Sequence, residues 1–500
     1  GMFVQSAHFV EEHRDAARKK KGSDLDLFVC GQEKTLATVK LAKMNLAVNG
    51  LRGEIHQGNT FFEDPAEALG NFDYVLANPP FNVDSVNYSK IANDPRFTGK
   101  DPGDPDSEGL GIPRRKSKKP GKADEETVPN ANYLWINLFA TSLKEKGRAA
   151  LVMANSASDA RHSEADIRRK LIEANLIYGM LTLPSNMFYT VTLPATLWFF
   201  DKGKAARGLD NKILFIDARN VFTQIDRAHR EFSAAQIQNL AEISRLYCGQ
   251  RQSFVDLIEQ YFVDGMHQLA ANAEAVSPVI ESIERLIDDE NCGSAASALA
   301  EHWKGHKTLS ADWQAHGAAK IDAANVDARN TAQRQLAEPF KAFFAGLHQR
   351  QKTLDKAIRD WERTQAEGEN GGGGGKKKNR QRPDREMKDL KAAIDTLHAD
   401  LRNAEQFFQH IDWLQSRFAD ARYEDVVGLC KAATPAEIEE QDWSLNPGRY
   451  VGVVIEEDGK TEEEFIDELV AISDQLSVLE TSSSELSSVI SRNTSSLTQA

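Results

Sequence analysis

Short apolar, β-rich runs alternate with helix-periodic stretches through the first 220 residues. The runs are Leu25–Val29, Tyr74–Ala77, Ala149–Met153, Tyr178–Leu183, Leu197–Phe200 and Ile213–Ile216. Between them, Gly31–Leu51 places apolar residues at 36, 39, 41, 44, 46 and 48, a helical spacing. Ala131–Glu145 and Ser163–Ala174 read the same way. Strands alternating with helices predict an α/β fold, a parallel sheet with helices on both faces. The last two runs have no long helix between them, which predicts an antiparallel pair at the sheet edge.

The rhythm breaks at 82–130, rich in Asn, Asp, Pro, Gly and Lys, which predicts a long loop or a partly disordered insertion. Residues 231–365 are mainly helical in pattern, and Ser233-Ala234-Ala235-Gln236 offers a helix start. Glu367–Pro383 holds five consecutive glycines and then a Lys/Arg run, the composition of a flexible linker. Helix resumes over Asp384–Phe418. Near the end, Phe465, Leu469, Ile472, Leu476, Leu479, Leu486, Ile490 and Leu497 follow steps of three and four, with Ser483 and Asn493 in the same register. This heptad-like seam fits either a partner helix or packing on its own domain. The domains expected are 1–230 (α/β), 231–366 (helical), 367–383 (linker), 384–433 (helical) and 434–500 (acidic tail).

Charge changes the picture only when divided. With 61 bases and 75 acids the chain carries −14. Fifteen of those acids and three of those bases lie in 434–500, so the rest is near −2. Two local runs are basic, Arg114–Lys119 and Lys376–Lys378 followed by Arg380 and Arg382. Each can neutralise phosphates or be a solvated loop. The four cysteines are scattered with no CxxC pair, and the histidines lack metal-ligand spacing, so neither a disulfide framework nor a metal site is expected. A reducing cytoplasm fits. No run of eighteen apolar residues is present, so no membrane helix and no membrane association is expected.

The sharpest chemical signal is Asn78-Pro79-Pro80-Phe81, directly after Phe72–Ala77, a run that reads as a buried strand. Parallel sheets bind ligands at their carboxyl ends. The prolines fix the backbone and remove two N–H donors, leaving carbonyls free to accept. Together the Asn78 side-chain oxygen and the Pro79 carbonyl can accept from one exocyclic amino group, while Phe81 stacks on a base. Such a nitrogen is a poor nucleophile because its lone pair is delocalised. Two acceptors outside the ring plane favour a pyramidal nitrogen, whose lone pair then points at an electrophilic methyl on a sulfonium. An ordinary turn is the competing reading. Glu33, where Asp26–Val29 opens towards a helix, can grip ribose hydroxyls or simply favour a helix start. Asn59, in Gly58-Asn59-Thr60, can contact an adenine ring or form a turn. No cysteine follows a proline, as cytosine carbon-5 methylation needs, and neither GxxxxGK[ST], HExxH nor GxSxG occurs.

In this order the motifs resemble the modification (M) subunit of type I restriction-modification systems, an amino-group DNA methyltransferase. The resemblance rests on Gly1-Met2-Phe3-Val4-Gln5-Ser6, Gly31-Gln32-Glu33, Lys43-Met44-Asn45-Leu46, Gly58-Asn59-Thr60 and Asn78-Pro79-Pro80-Phe81-Asn82. It continues through Asn132-Tyr133-Leu134-Trp135, Gly147–Ala150, Ile167-Arg168-Arg169 and Leu183–Tyr189. Gly428-Leu429-Cys430-Lys431 and Trp443–Val451 extend it close to the end of the chain.

The resemblance implies a Rossmann-like class I methyltransferase sheet, a following helical region and a C-terminal amphipathic helix. It implies S-adenosylmethionine as methyl donor and a flipped adenine in double-stranded DNA as acceptor, methylated at N6. Asn78, Pro79, Pro80 and Phe81 would be catalytic; Gly1, Glu33 and Asn59 would face the cofactor. Partners would be a specificity (S) subunit that reads the DNA, a restriction (R) subunit and a second M subunit, with the heptad-like tail docking the S subunit. By the same analogy the chain begins inside the family's glycine-rich turn, with Gly1 its last glycine, which would leave a gap at the sheet centre. Two rivals are methylation of another amide or amine, such as a protein glutamine, and a non-catalytic assembly subunit.

Overall fold

The computed structural model describes residues 1–12, 27–104, 106–113, 126–188, 192, 194–209, 211–319, 321–370 and 381–453, and positions 476, 483, 484, 486 and 487, with only the backbone at 366–370 and 381–385. The basic run at 114–119, the glycines and lysines at 371–378 and most of the heptad-like tail lie outside the described residues. Gly1–Val451 form one compact unit and Gly452–Ala500 another. In the second unit, Leu476 and Leu486 are helical and exposed.

The chain opens with α1 (Met2–Glu12), β1 (Phe28–Glu33), α2 (Leu36–Val48), β2 (Arg52–Gln57) and β3 (Phe72–Ala77). A short antiparallel ladder of β4 (Val86–Asn87) and β5 (Thr127–Val128) brackets a helical turn, α3 (Pro95–Thr98). Then come α4 (Asn132–Thr141), β6 (Leu143–Ala154), α5 (Ser163–Glu173), β7 (Ile177–Thr182), β8 (Ala195–Asp201) and β9 (Ile213–Asp217). After the small β10 (Thr223–Gln224) and β11 (Arg230–Glu231), helices α6 (Ala234–Tyr247), α7 (Arg251–Ala271), α8 (Val276–Leu286), α9 (Glu290–Trp303), α10 (His306–Ala318), α11 (Val326–Asn370) and α12 (Gln381–Arg417) follow. The last elements are β12 (Cys430–Ala433) and α13 (Pro435–Glu440).

Six strands form a mixed sheet in the order β12-β9-β7-β8-β6-β3. β3 and β6 are parallel, as are β7 and β9; β8 runs antiparallel to both β6 and β7. This corrects the expected antiparallel edge pair. β8 and β9 do not pair with each other; β8 lies inside the sheet, where Trp198 and Phe200 are buried. A near-continuous apolar run such as β9, buried at every position, is what an interior strand requires. The edge is completed instead by β12, more than 200 residues downstream, which pairs antiparallel with β9.

Three further expectations shift. Gly31–Glu33 is strand, and the helix begins only at Leu36, because β1 pairs in parallel register with β2 up to Glu33–Gln57. β3 is not a buried strand but a sheet edge, with Tyr74 73% and Leu76 50% exposed. The β1–β2 pair is a separate sheet, so no described strand hydrogen-bonds to the outer edge of β3. The 82–130 stretch, where described, is packed rather than loose: Val86, Ile91, Phe97, Ile112 and Val128 share a core with Phe61, Leu134 and Trp135.

The helical region is built onto the sheet. Leu181, Leu214 and Ile216 on one face share a core with Phe254, Ile258 and Phe262 of α7 and with α11 and α12. The opposite face packs on α4, α5, Ile438 and Tyr450. The expected start of α6 is present as a reciprocal box: Gln236 N–H donates to Ser233 Oγ (3.2 Å) and Ser233 N–H to Gln236 Oε1 (2.9 Å).

α11 and α12 form an antiparallel pair whose Lys–carboxylate and His–carboxylate pairs recur every seven residues. These are Lys341–Asp412 (2.9 Å), His348–Glu405 (2.7 Å), His398–Asp355 (3.7 Å) and Lys391–Glu362 (2.5 Å). Between them run Phe340, Leu347, Leu354 and Ile358 against Leu390, Ile394, Leu397, Leu401, Phe408 and Ile411, all buried. This is a heptad seam. Helix continues through the ends of the expected linker, to Asn370 and from Gln381.

A capping box also opens α13, where Thr434 Oγ1 accepts from Glu437 N–H and Glu437 accepts from Thr434 N–H. Lys431 and these bonds hold the Glu437 carboxyl down at about 2. A carboxyl depressed on folding contributes stability that is complete above its unfolded value and lost as pH falls through its folded one. Glu437→Gln keeps the box but removes the charge. Its stability deficit is therefore expected in full above about pH 4.5 and to vanish near pH 2, read by thermal unfolding across that range.

Candidate active site

The parallel strands of the large sheet deliver three loops to one end: Asn78–Phe81 after β3, Asn155–Asp159 after β6 and Leu183–Phe188 after β7. In the first, Asn78 and Pro80 are exposed, Pro79 is buried and Phe81 is half-buried. The carboxamide thus stands at the rim of the sheet while the first proline anchors the backbone under it. Ala77, the residue before Asn78, is in register with Leu151 of β6.

Four residues later the chain is gripped again. Asn82 adopts a left-handed backbone, φ +55°, and its N–H donates to Asn132 Oδ1 (2.9 Å). Asn82 Oδ1 accepts from Asn132 Nδ2 (3.0 Å) and Asn130 Nδ2 (3.0 Å). Asn130 Oδ1 in turn accepts from the Asn132 N–H at the start of α4 (2.9 Å), and Ala131 N–H donates to the Val83 carbonyl (2.8 Å). None of these three asparagines was singled out as functional from sequence. The signal was the repetition of short carboxamides in Asn82, Asn130 and Asn132 around two turns.

The next residue, Tyr133, links α4 to the far end of the chain. Its O–H donates to the Ala157 carbonyl (2.7 Å), and burial pushes the phenol up to about 12 against the pull of Arg168. The buried Arg168 donates to Tyr133 Oη (3.2 Å), the Ala160 carbonyl (2.7 Å) and the Trp443 carbonyl (2.5 Å). Asp159 accepts from Asn446 Nδ2 (3.1 Å) and pairs with Arg449 (3.3 Å), while Tyr450 stacks on Phe215 at 3.9 Å. The Trp443–Val451 segment therefore braces the loop end of the sheet.

Of the three residues expected to face a cofactor, Glu33 ends β1, Asn59 follows β2 and Gly1 precedes α1. Glu33 ends β1, and its Oε1 accepts from Thr35 N–H (3.1 Å) just before α2, the helix-start role. A carboxylate has about four acceptor positions, so this bond leaves capacity for a hydroxyl. Gly58 N–H donates to the Glu33 carbonyl (3.0 Å), which brings the ends of β1 and β2 together. Asn59 forms a turn: Oδ1 accepts from Phe61 N–H (3.1 Å), and its own N–H donates to Glu63 Oε1 (2.8 Å). Its carboxamide oxygen is turned onto its own backbone. The buried Arg96 fastens that turn, donating to the Thr60 (3.3 Å) and Glu63 (3.1 Å) carbonyls while paired with Asp94 (2.7 Å). Gly1 stands exposed at the start of α1, accepting from Gln5 N–H (3.1 Å). Helix α1 lays Phe3 against Gly31, where a Cβ would meet the ring at 3.2 Å.

Three of the four thiols are poorly suited to nucleophilic chemistry. Burial, and then the carboxylates Glu54 and Asp64, push the Cys30 thiol up. Burial pushes Cys292 and Cys430 up to about 11, so both are neutral near pH 7. Among the described residues no cluster of His, Cys, Asp or Glu is arranged to hold a metal ion, and no helix is long and apolar enough to cross a membrane.

The site is thus a mixed α/β sheet with a proline-backed asparagine on its rim. The N-6 DNA methylase family model matches residues 1–109 and 114–262, more than half of the chain, and the chain belongs to that family. It is 31% identical over 280 residues to the type I restriction enzyme MjaIX methylase subunit of Methanocaldococcus jannaschii, a match covering 56% of this chain and 45% of that protein. It is 30% identical over 244 residues to the HindI methylase subunit of Haemophilus influenzae, covering 48% and 47%. The chain thus spans about half the length of these curated relatives. Among solved structures, a type I restriction-modification methyltransferase subunit from Streptococcus thermophilus aligns over 46% of this chain and 50% of that one, at 21% identity and a TM-score of 0.36.

Proposed function

We propose that this chain is the modification subunit of a type I restriction-modification system, which methylates adenine N6 in double-stranded DNA. The observation that carries the reading is Asn78, exposed at the carboxyl end of a parallel strand and backed by a buried proline. S-adenosylmethionine, when bound, supplies an electrophilic methyl group. The chain's own part is to hold the acceptor. Asn78 Oδ1 and the Pro79 carbonyl accept from the amino group and keep its lone pair out of the ring plane. Phe81 stacks on the base once it has left the helix, a displacement that costs a few kcal/mol. Glu33 accepts from the cofactor ribose, Gly1 faces its methionine part, and Asn59 borders its adenine through the turn that closes β2.

Sequence readout falls to a specificity subunit, which explains why the chain is not basic overall. The restriction subunit and a second modification subunit complete the assembly, and the heptad-like segment from Phe465 to Leu497 contributes the surface for the specificity subunit. The cytoplasm, where the DNA is, is the place of action.

Calorimetry of this chain with S-adenosylmethionine tests the cofactor assignment. Saturable heat is expected, with affinity lowered about tenfold in Glu33→Gln, the loss of one charge-assisted hydrogen bond. Absence of heat would favour the rival reading of a non-catalytic assembly subunit.

A further inference from the structure

Resting on the methyltransferase reading above, we propose that Asn82 and Asn132 are positioning residues that set the turnover of the Asn78–Phe81 loop without touching the base. The loop has only four residues between its two anchors. On one side Ala77 is fixed in the sheet opposite Leu151. On the other, Asn82 and Asn132 exchange two hydrogen bonds, Asn82 N–H to Asn132 Oδ1 and Asn132 Nδ2 to Asn82 Oδ1. Asn132, 2% exposed, uses both ends of its carboxamide in that exchange. The left-handed backbone at Asn82 reverses the chain immediately after Phe81. Asparagine tolerates that conformation better than most residues. Asn130 adds a second donor to Asn82 Oδ1 and ties the whole to the first turn of α4. With both ends held and two prolines between them, the position of the Phe81 ring and of the Pro79 carbonyl is set by this ring of amides.

The chemistry of the exchange is asymmetric. Asn82 contributes only an acceptor from its side chain, so Asn82→Asp preserves the two bonds it receives. Asn132 must donate and accept at once, so Asn132→Asp sets two acceptors face to face at constant volume. Asn82→Gly keeps the left-handed backbone and deletes the carboxamide.

The experiment measures methyl transfer to DNA by the chain assembled with its specificity subunit, reporting kcat and the DNA KM separately, with thermal unfolding of each variant. Misplacement of reacting groups by an ångström costs on the order of 100-fold in rate. Asn132→Asp and Asn82→Gly are expected to lower kcat roughly 10- to 100-fold with KM unchanged, and Asn82→Asp to remain within about threefold of wild type. Should Asn132→Asp unfold, Asn82→Gly, at an exposed position, decides the question. If wild type is active and Asn82→Gly turns over normally, or Asn82→Asp is as slow as Asn82→Gly, the positioning role is wrong. If wild type transfers no methyl group at all, the methyltransferase reading itself fails.

Discussion

On the proposed function, Asn78→Ala is expected to lower methyl transfer by roughly 10²–10³-fold in kcat and to leave the folded assembly unchanged. The magnitude is that of deleting one preorganised hydrogen-bonding group at a reacting centre. The sparing of the fold follows from exposure: Asn78 stands on the sheet rim, whereas the packing beneath the loop belongs to Pro79, which is buried. The same variant should bind S-adenosylmethionine as wild type does, because Glu33 and Asn59 lie on the separate β1–β2 pair. Tritium transfer to cognate DNA, with calorimetry and thermal unfolding in parallel, checks all three. Retained turnover would refute the role given to this side chain.

Phe408→Ala is expected to be the most damaging substitution for stability, at about 3–5 kcal/mol. Phe408 stacks on Phe340 (4.4 Å) and Phe344 (5.2 Å) and meets Phe262 edge-on (6.1 Å), so one ring joins α7, α11 and α12. The ring also explains why position 265 has no side chain: a Cβ there would lie 2.8 Å from it. Truncation leaves a cavity that the helices cannot readily close, because the buried seam of Leu347, Leu354, Leu397, Leu401 and Ile411 fixes their spacing on either side of it. Urea unfolding at pH 7 measures the loss; a deficit below about 1 kcal/mol would mean that the helices collapse onto the gap.

Much of the α/β unit was legible because local pattern and tertiary environment agree there. Ile213–Ile216 reads as a strand from its apolar run and is one, buried throughout, although its expected place at the sheet edge beside β8 was not borne out. Ser233 and Gln236 read as a helix start and form the box. The heptads of α11 and α12 were missed although the spacing is present, because polar faces and His–carboxylate pairs blur the contrast. The burial of β3 was misjudged because its apolar run says nothing about whether a neighbouring strand pairs with it.

The sequence by itself determined much of the alternation of strands and helices and placed Asn78-Pro79-Pro80-Phe81 directly after the strand Phe72–Ala77, since each depends on neighbours a few residues apart. Only the tertiary structure decided where β8 and β12 enter the sheet, which asparagines hold the loop, and that Trp443–Val451 packs beside Asp159 and Arg168. The asparagine and Arg168 contacts join residues 50 and 275 positions apart. Strand pairing and side-chain amide networks at that separation are chosen by shape and hydrogen-bond completion in the folded core, and no periodicity along the chain encodes them.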